Sequence, residues 1–209
     1  MEGLREIAIK LRARLERSNL AREETLKTCR EVIQRSSLSI RAIHRGEFDT
    51  ALSLIEEARL RVFSVKKALK NFPEIFQAGY VHDSQKEYVE AETMRSIVCN
   101  IELKNPEELG VEPAAYLNGI AEAASECRRF VLDRMREGDM GRAEAVLKIM
   151  DDIYFELTSV DFPDAITGGL RRTTDALRAV LERTRGDLTL TLSQNLLERA
   201  IKEARFDRT

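Results

Sequence analysis

The stretch Ala51–Leu69, ALSLIEEARLRVFSVKKAL, decides the fold class. Ala51, Ile55, Ala58, Val62, Val65 and Leu69 recur in alternating steps of four and three, the seam of a helix that packs along another helix. Asn71-Phe72-Pro73 ends the run. Upstream, Leu4, Ile7, Leu11 and Leu15 form a second helical stripe, which resumes beyond the polar Ser18 and Asn19 with Leu26, Cys29, Ile33, Ile40 and Ile43. His44-Arg45-Gly46 stops that helix, and Asp49 is placed to cap the next.

Downstream, a third helix is predicted from about Asp83 to Ile101. The turn KNPEELGVEP separates it from a fourth, opened by Pro113 and running to about Arg136, where EGDMG stops it. A fifth covers roughly 140–158. Phe162-Pro163 and Gly168-Gly169 precede a sixth at about 170–185, and Gly186-Asp187 caps a leucine-rich last one. No stretch shows sustained period-two alternation. The expectation is therefore an all-α chain, a single domain over 1–209, built as an antiparallel bundle of about seven helices. The heptad seam together with Leu188, Leu190, Leu192, Leu196 and Leu197 offers more apolar stripe than one bundle needs, which predicts a homo-oligomer.

Composition bounds the function. The 209 residues are 43% hydrophobic and 33% charged with a net charge of −2, too apolar and too balanced for a disordered chain. No apolar run approaches the ~20 residues of a membrane span, so no membrane partner is expected. MEGLREIAIKLRARLERS carries charge in every turn and does not read as a secretory signal. Cys29, Cys99 and Cys127 form an odd set without a C-x-x-C pair, read as core filler in a reducing, cytoplasmic setting. With only His44 and His82 available, histidine-rich metal sites and Ser-His-Asp chemistry lack parts.

The small net charge conceals a division. Residues 1–70 carry 16 basic against 10 acidic side chains, residues 71–127 carry 3 against 11, and residues 128–209 carry 15 of each. A basic arm and an acidic middle suit a protein that holds a polyanion in one place and a cation in another. In the middle segment Glu87 and Glu90 lie three apart on one helix, and Glu122 and Glu126 lie four apart on the next, amid Ile120, Ala121, Ala123 and Ala124. If these helices pack, four carboxylates converge, which is costly unless a cation sits among them. Oxygen ligands without histidine or cysteine select Mg²⁺, with Mn²⁺ as a substitute. Metal-assisted phosphodiester or pyrophosphate hydrolysis is the reaction class implied. In the arm, Arg5 and Arg12 share one helical face and Lys10, Arg14 and Arg17 another. With Arg22 they make a cationic strip suited to a phosphate backbone.

QKEYVEA at 85–91 and AYLNGIAEAASECRRFVLDRMREGD at 115–139 resemble the translin family, in particular its nuclease branch, translin-associated factor X (Trax). The segment from Ile149 to Thr184, IMDDIYFELTSVDFPDAITGGLRRTTDALRAVLERT, is similar to the family's C-terminal region, and Arg22–Gly46 to its opening helix in character. The resemblance implies a seven-helix all-α fold, a hollow octamer, and binding of single-stranded RNA or DNA. In the Trax branch it further implies a Mg²⁺-dependent endoribonuclease acting inside the shell. The branch's catalytic carboxylates fall on Glu87, Glu90, Glu122 and Glu126. Glu122 stands where an aspartate is expected, and Lys86 departs from the family's pattern. The resulting expectation places metal on Glu90, Glu122 and Glu126, with Glu87 completing the site or orienting the attacking water. Two other functions remain open at this point: a non-catalytic translin-like shell for RNA or DNA, and an all-α Mg²⁺-dependent nucleoside triphosphate pyrophosphohydrolase.

Overall fold

The computed structural model describes the backbone of residues 2–206 and the side chains of residues 3–204. Met1 and 207–209, the ends of the domain expected over 1–209, lie outside the described residues. The described chain is all-α. Six long helices are α1 (Glu2–His44), α2 (Phe48–Ala68), α4 (Gly79–Cys99), α6 (Pro113–Arg136), α7 (Met140–Thr158) and α9 (Leu170–Phe206). Three single turns lie between them: α3 (Pro73–Phe76), α5 (Pro106–Leu109) and α8 (Asp164–Thr167).

The heptad seam packs as its spacing demands. Ala51, Ile55, Ala58, Val62, Val65 and Leu69 are all buried, and α2 lies along α1. Helix α4 is enclosed by α1, α2 and α6, so it buries residues all round its circumference, including Gln85, Glu92, Thr93 and Ser96. Helix α6 lies against α4, α7 and α9, and Ala115, Ala121, Ala123 and Ala124 are fully buried on it. Small side chains there bring α4 and α6 close. At Gly119 a Cβ would lie 2.6 Å from the Val89 Cβ and 2.7 Å from the Lys86 carbonyl oxygen, so only glycine permits this approach. Pro113 starts α6, and the Glu112 N–H donates to the buried Gln85 Oε1 at 2.9 Å, tying that start to α4.

Three details differ from the sequence reading. Gly186-Asp187 does not begin a new helix, because α9 is a single helix of 37 residues that runs through it. Leu181, Thr184 and Leu188 keep one buried seam on both sides of the glycine. Arg128 also clamps the crossing, donating to Thr184 Oγ1 at 3.1 Å and to Asp187 Oδ2 at 2.8 Å. A mid-helix glycine costs about 1 kcal/mol, which these contacts outweigh. Glu47 rather than Asp49 occupies the N-cap of α2, and Asp49 sits in its first turn. Cys29 and Cys127 are buried, whereas Cys99 is exposed near the end of α4 and is not core filler.

Helix α1 changes character along its length. From Cys29 onward it contributes Val32, Ile40, Ala42 and Ile43 to the core. Leu4, Ile7, Leu11 and Leu15 are each more than half exposed, so the first stripe projects from the bundle. The end of α9 does the same, with Leu190, Leu196, Leu197 and Ile201 exposed.

Candidate functional site

Helices α4 and α6 run side by side, and their facing carboxylates meet. Oxygens of Glu87, Glu90 and Glu122 all lie within 4.8 Å of one another. The i, i+3 spacing puts Glu87 and Glu90 on the face of α4 that α6 covers, and the alanines beside Glu122 leave room for its side chain. The charges are partly withdrawn from water. The Glu90 carboxyl is pushed up to about 8 by burial, then by the negative charges of Glu87, Glu122 and Glu126, with Lys86 only partly opposing them. Glu87 is raised as well, by burial and by Glu122.

Glu126 takes a different partner. His44, at the end of α1, places Nε2 2.6 Å from Glu126 Oε1, and the histidine side chain is only 2% exposed. Of the expected metal set, Glu90 and Glu122 lie in this group with Glu87, and Glu126 stands near enough for its charge to act on Glu90. The His44–Glu126 contact crosses the bundle, between residues 82 positions apart. Cys127, next to Glu126, has its thiol pushed up to about 12 by burial and by that carboxylate, which leaves it inert.

Lys86 stands at the edge of the cluster with Nζ 2.9 Å from Glu122 Oε1. Burial works against its ammonium, but the hydrogen bond and charge of Glu122, helped by Asp83 and Glu87, outweigh that and raise its pKa. A cleft of about 590 Å³ opens here, lined by Lys86, Glu122 and Arg172 among others. Sequence spacing points to neither Lys86 nor Arg172 as a binding residue. Lys86 departs from the family's pattern, and Arg172 lies in a basic stretch with no local partner to mark it.

The basic arm is elsewhere. Arg5, Lys10, Arg12, Arg14, Arg17 and Arg22 are all exposed on the first half of α1, and Arg22 pairs with the adjacent Glu23. At 1.5 Å per residue they lie about 33 to 58 Å along the helix from His44, which touches the site. Within one chain the arm and the carboxylates do not meet.

The fold and site define an all-α protein with a clustered-carboxylate centre beside a cleft whose charged lining is Lys86, Arg172, Asp83 and Glu122. No protein-family model matches the chain. Over 182 residues it is 34% identical to the uncharacterized protein MJ0175 of Methanocaldococcus jannaschii, covering 84% of this chain and 78% of that protein. Among solved structures it is similar to AfC3PO in its complex with duplex RNA, at 36% identity and a TM-score of 0.83 over 90% of this chain and 98% of that one. AfC3PO alone gives 36% identity and a TM-score of 0.82 with the same coverage. NeC3PO in its apo form shares the fold, with 20% identity and a TM-score of 0.79 over 88% of this chain and 96% of that one. The chain belongs to the translin family, with C3PO, on its Trax-like branch.

Proposed function

We propose that the protein is a Mg²⁺-dependent endoribonuclease acting on RNA within a homo-oligomeric shell. One observation carries the reading: three carboxylates from two helices converge within 4.8 Å, with Glu90 raised to about 8 by burial and by its acidic neighbours. Such a group is costly to bury alone and suits a hard divalent ion, so the residues present fit Mg²⁺ or Mn²⁺. Glu87, Glu90 and Glu122 would hold it, while His44 keeps Glu126 turned toward α1 at the rim. Bound there, the ion supplies Lewis-acid polarisation of a phosphodiester and of an attacking water. Lys86 reduces the repulsion that an incoming phosphate meets from Glu122.

AfC3PO was solved with duplex RNA, which supports RNA as the ligand class and extends the candidate substrates beyond single strands. DNA remains a further ligand to test. The uncovered apolar stripes of α1 and α9 support assembly, and the octamer rests on the family resemblance. Assembly also supplies what one chain lacks, since an arm far from its own carboxylates is free to serve another subunit's cavity. The cytoplasm is the compartment proposed, in keeping with free Cys29, Cys99 and Cys127.

The test is a labelled oligoribonucleotide, single-stranded and duplex, incubated with Mg²⁺, with Mn²⁺ or with EDTA. Cleavage is expected with either metal and none in EDTA. Cleavage that persists in EDTA sinks the proposal. Salt-sensitive binding without cleavage under any divalent ion selects the non-catalytic shell, and pyrophosphate released from free nucleoside triphosphates selects the pyrophosphohydrolase.

A further inference from the structure

The carboxylate cluster opens onto the 590 Å³ cleft between α4, α6 and the first turns of α9. Glu122 belongs to both. A polyanion approaching three glutamates is repelled unless cations flank its path. The cleft provides two, Lys86 and Arg172, set against Asp83 and Glu122 in the same lining. Lys86 holds Glu122 from α4, and Arg172, exposed in the first turn of α9, pairs with no carboxylate among the described residues.

The position of Arg172 is built from beneath. Asn118 is 2% exposed. Its amide donates to the Thr167 carbonyl at 2.7 Å and to the Ala114 carbonyl at 2.8 Å, and its Oδ1 accepts from Thr173 Oγ at 2.7 Å. These bonds fasten the start of α9 to the face of α6 that carries Glu122 one turn later. A fully satisfied buried amide of this kind specifies geometry. It holds the backbone of Arg172 at a set place beside the carboxylates while the guanidinium stays free.

We propose that this cleft is a phosphodiester subsite in which Arg172 and Lys86 hold a backbone phosphate next to the one engaged at the carboxylate centre, with Asn118 as the positioning residue for Arg172. The assignment rests on the endoribonuclease reading above. A guanidinium presents paired donors that match phosphate oxygens, and a lysine in its place supplies the charge without the fork. The ligand is the sugar-phosphate backbone, so the subsite reads neither base nor 2′-hydroxyl.

Binding of a short fluorescein-labelled oligoribonucleotide and of its deoxyribose counterpart to the full-length protein in EDTA, followed by anisotropy across a salt series, tests this. Arg172→Ala is expected to weaken both probes about tenfold. It should also reduce the salt slope by about 0.7, the share of one single-strand phosphate contact. Arg172→Lys should keep the slope and lose most of the affinity. Arg178→Ala, exposed on the same helix but outside the cleft, should match the parent. With Mg²⁺, Arg172→Ala should raise KM and leave kcat near its parent value. Parental affinity and slope in Arg172→Ala would overturn the subsite, as would a loss confined to the ribose probe. A parent that cleaves while Arg172→Ala behaves identically overturns the subsite alone. A parent whose binding depends on Arg172 but which never cleaves overturns the nuclease reading and leaves the subsite standing.

Discussion

The projecting arm of α1 and the junction of α4 with α6 both concentrate charge, in opposite physical settings. The arm's basic side chains stand in solvent on an isolated helix, beside leucines that are more than half exposed. At the junction like charges are pressed together and partly withdrawn from water, with Lys86 as the adjoining cation. Solvated charge is weak pair by pair and acts by summed attraction to a polyanion. Confined charge is expensive and persists where something offsets it. Local spacing was a sound guide to the first setting, whereas the second depends on which helices pack together.

The sharpest way to break this contrast is neutralisation on each side. Glu90→Gln or Glu122→Gln is expected to lower metal-dependent cleavage by at least about 100-fold while leaving RNA affinity in EDTA intact. Equal loss of binding would mean that the carboxylates serve structure. Next comes the approach of the two helices. Gly119→Ala drives a methyl into Val89 and the Lys86 carbonyl and should cost about 1–3 kcal/mol in urea unfolding. It should also weaken Mg²⁺ binding by titration calorimetry, because Glu122 lies one turn further along α6. An unchanged variant would show that the junction tolerates expansion.

A smaller effect should appear in the pH dependence of metal-free stability. The folded pKa of Glu90, about 8, lies above its ordinary value of 4.5. The folded state then binds more protons than the unfolded state between those values, so stability is full below the lower one and declines as pH rises toward the upper. Thermal unfolding in EDTA should show Tm falling over that window. Mg²⁺ should restore more at pH 8 than at pH 6, and Glu90→Gln should flatten the profile. A Tm that rises over the same window contradicts the buried-carboxylate account. The smallest change belongs to the arm. Arg12→Ala with Arg14→Ala should weaken RNA binding only a few-fold per site and flatten its salt dependence, with kcat unchanged. A large loss of kcat would place the arm in the chemistry.

Much of the fold was legible from spacing. The seam from Ala51 to Leu69, the start of α6 at Pro113 and the span of α7 are local matters, decided by apolar period and by proline. Gly186 misled because a glycine weakens a helix only modestly, and Arg128, 58 residues before it, holds the helix together there. At the site, Glu87 with Glu90 and Glu122 with Glu126 were visible as pairs on helical faces. The pairing of Glu126 with His44 was not, since His44 reaches it from the end of another helix. Cys99 was read as core and lies outside it for a similar reason, because an apolar neighbourhood in sequence does not say which side of a helix end faces water.

By itself the sequence determined the helical class, the positions of most helix boundaries, the charge division and the residue types available for chemistry. These depend on periods and spacings within a few turns. Only the tertiary structure decided that Glu87, Glu90 and Glu122 come within 4.8 Å of one another, that Lys86 and Arg172 stand beside them, and that the basic arm lies far from its own carboxylates. Those outcomes depend on how closely two helices approach at Gly119 and on the 43-residue length of α1, and neither is encoded in neighbouring residues.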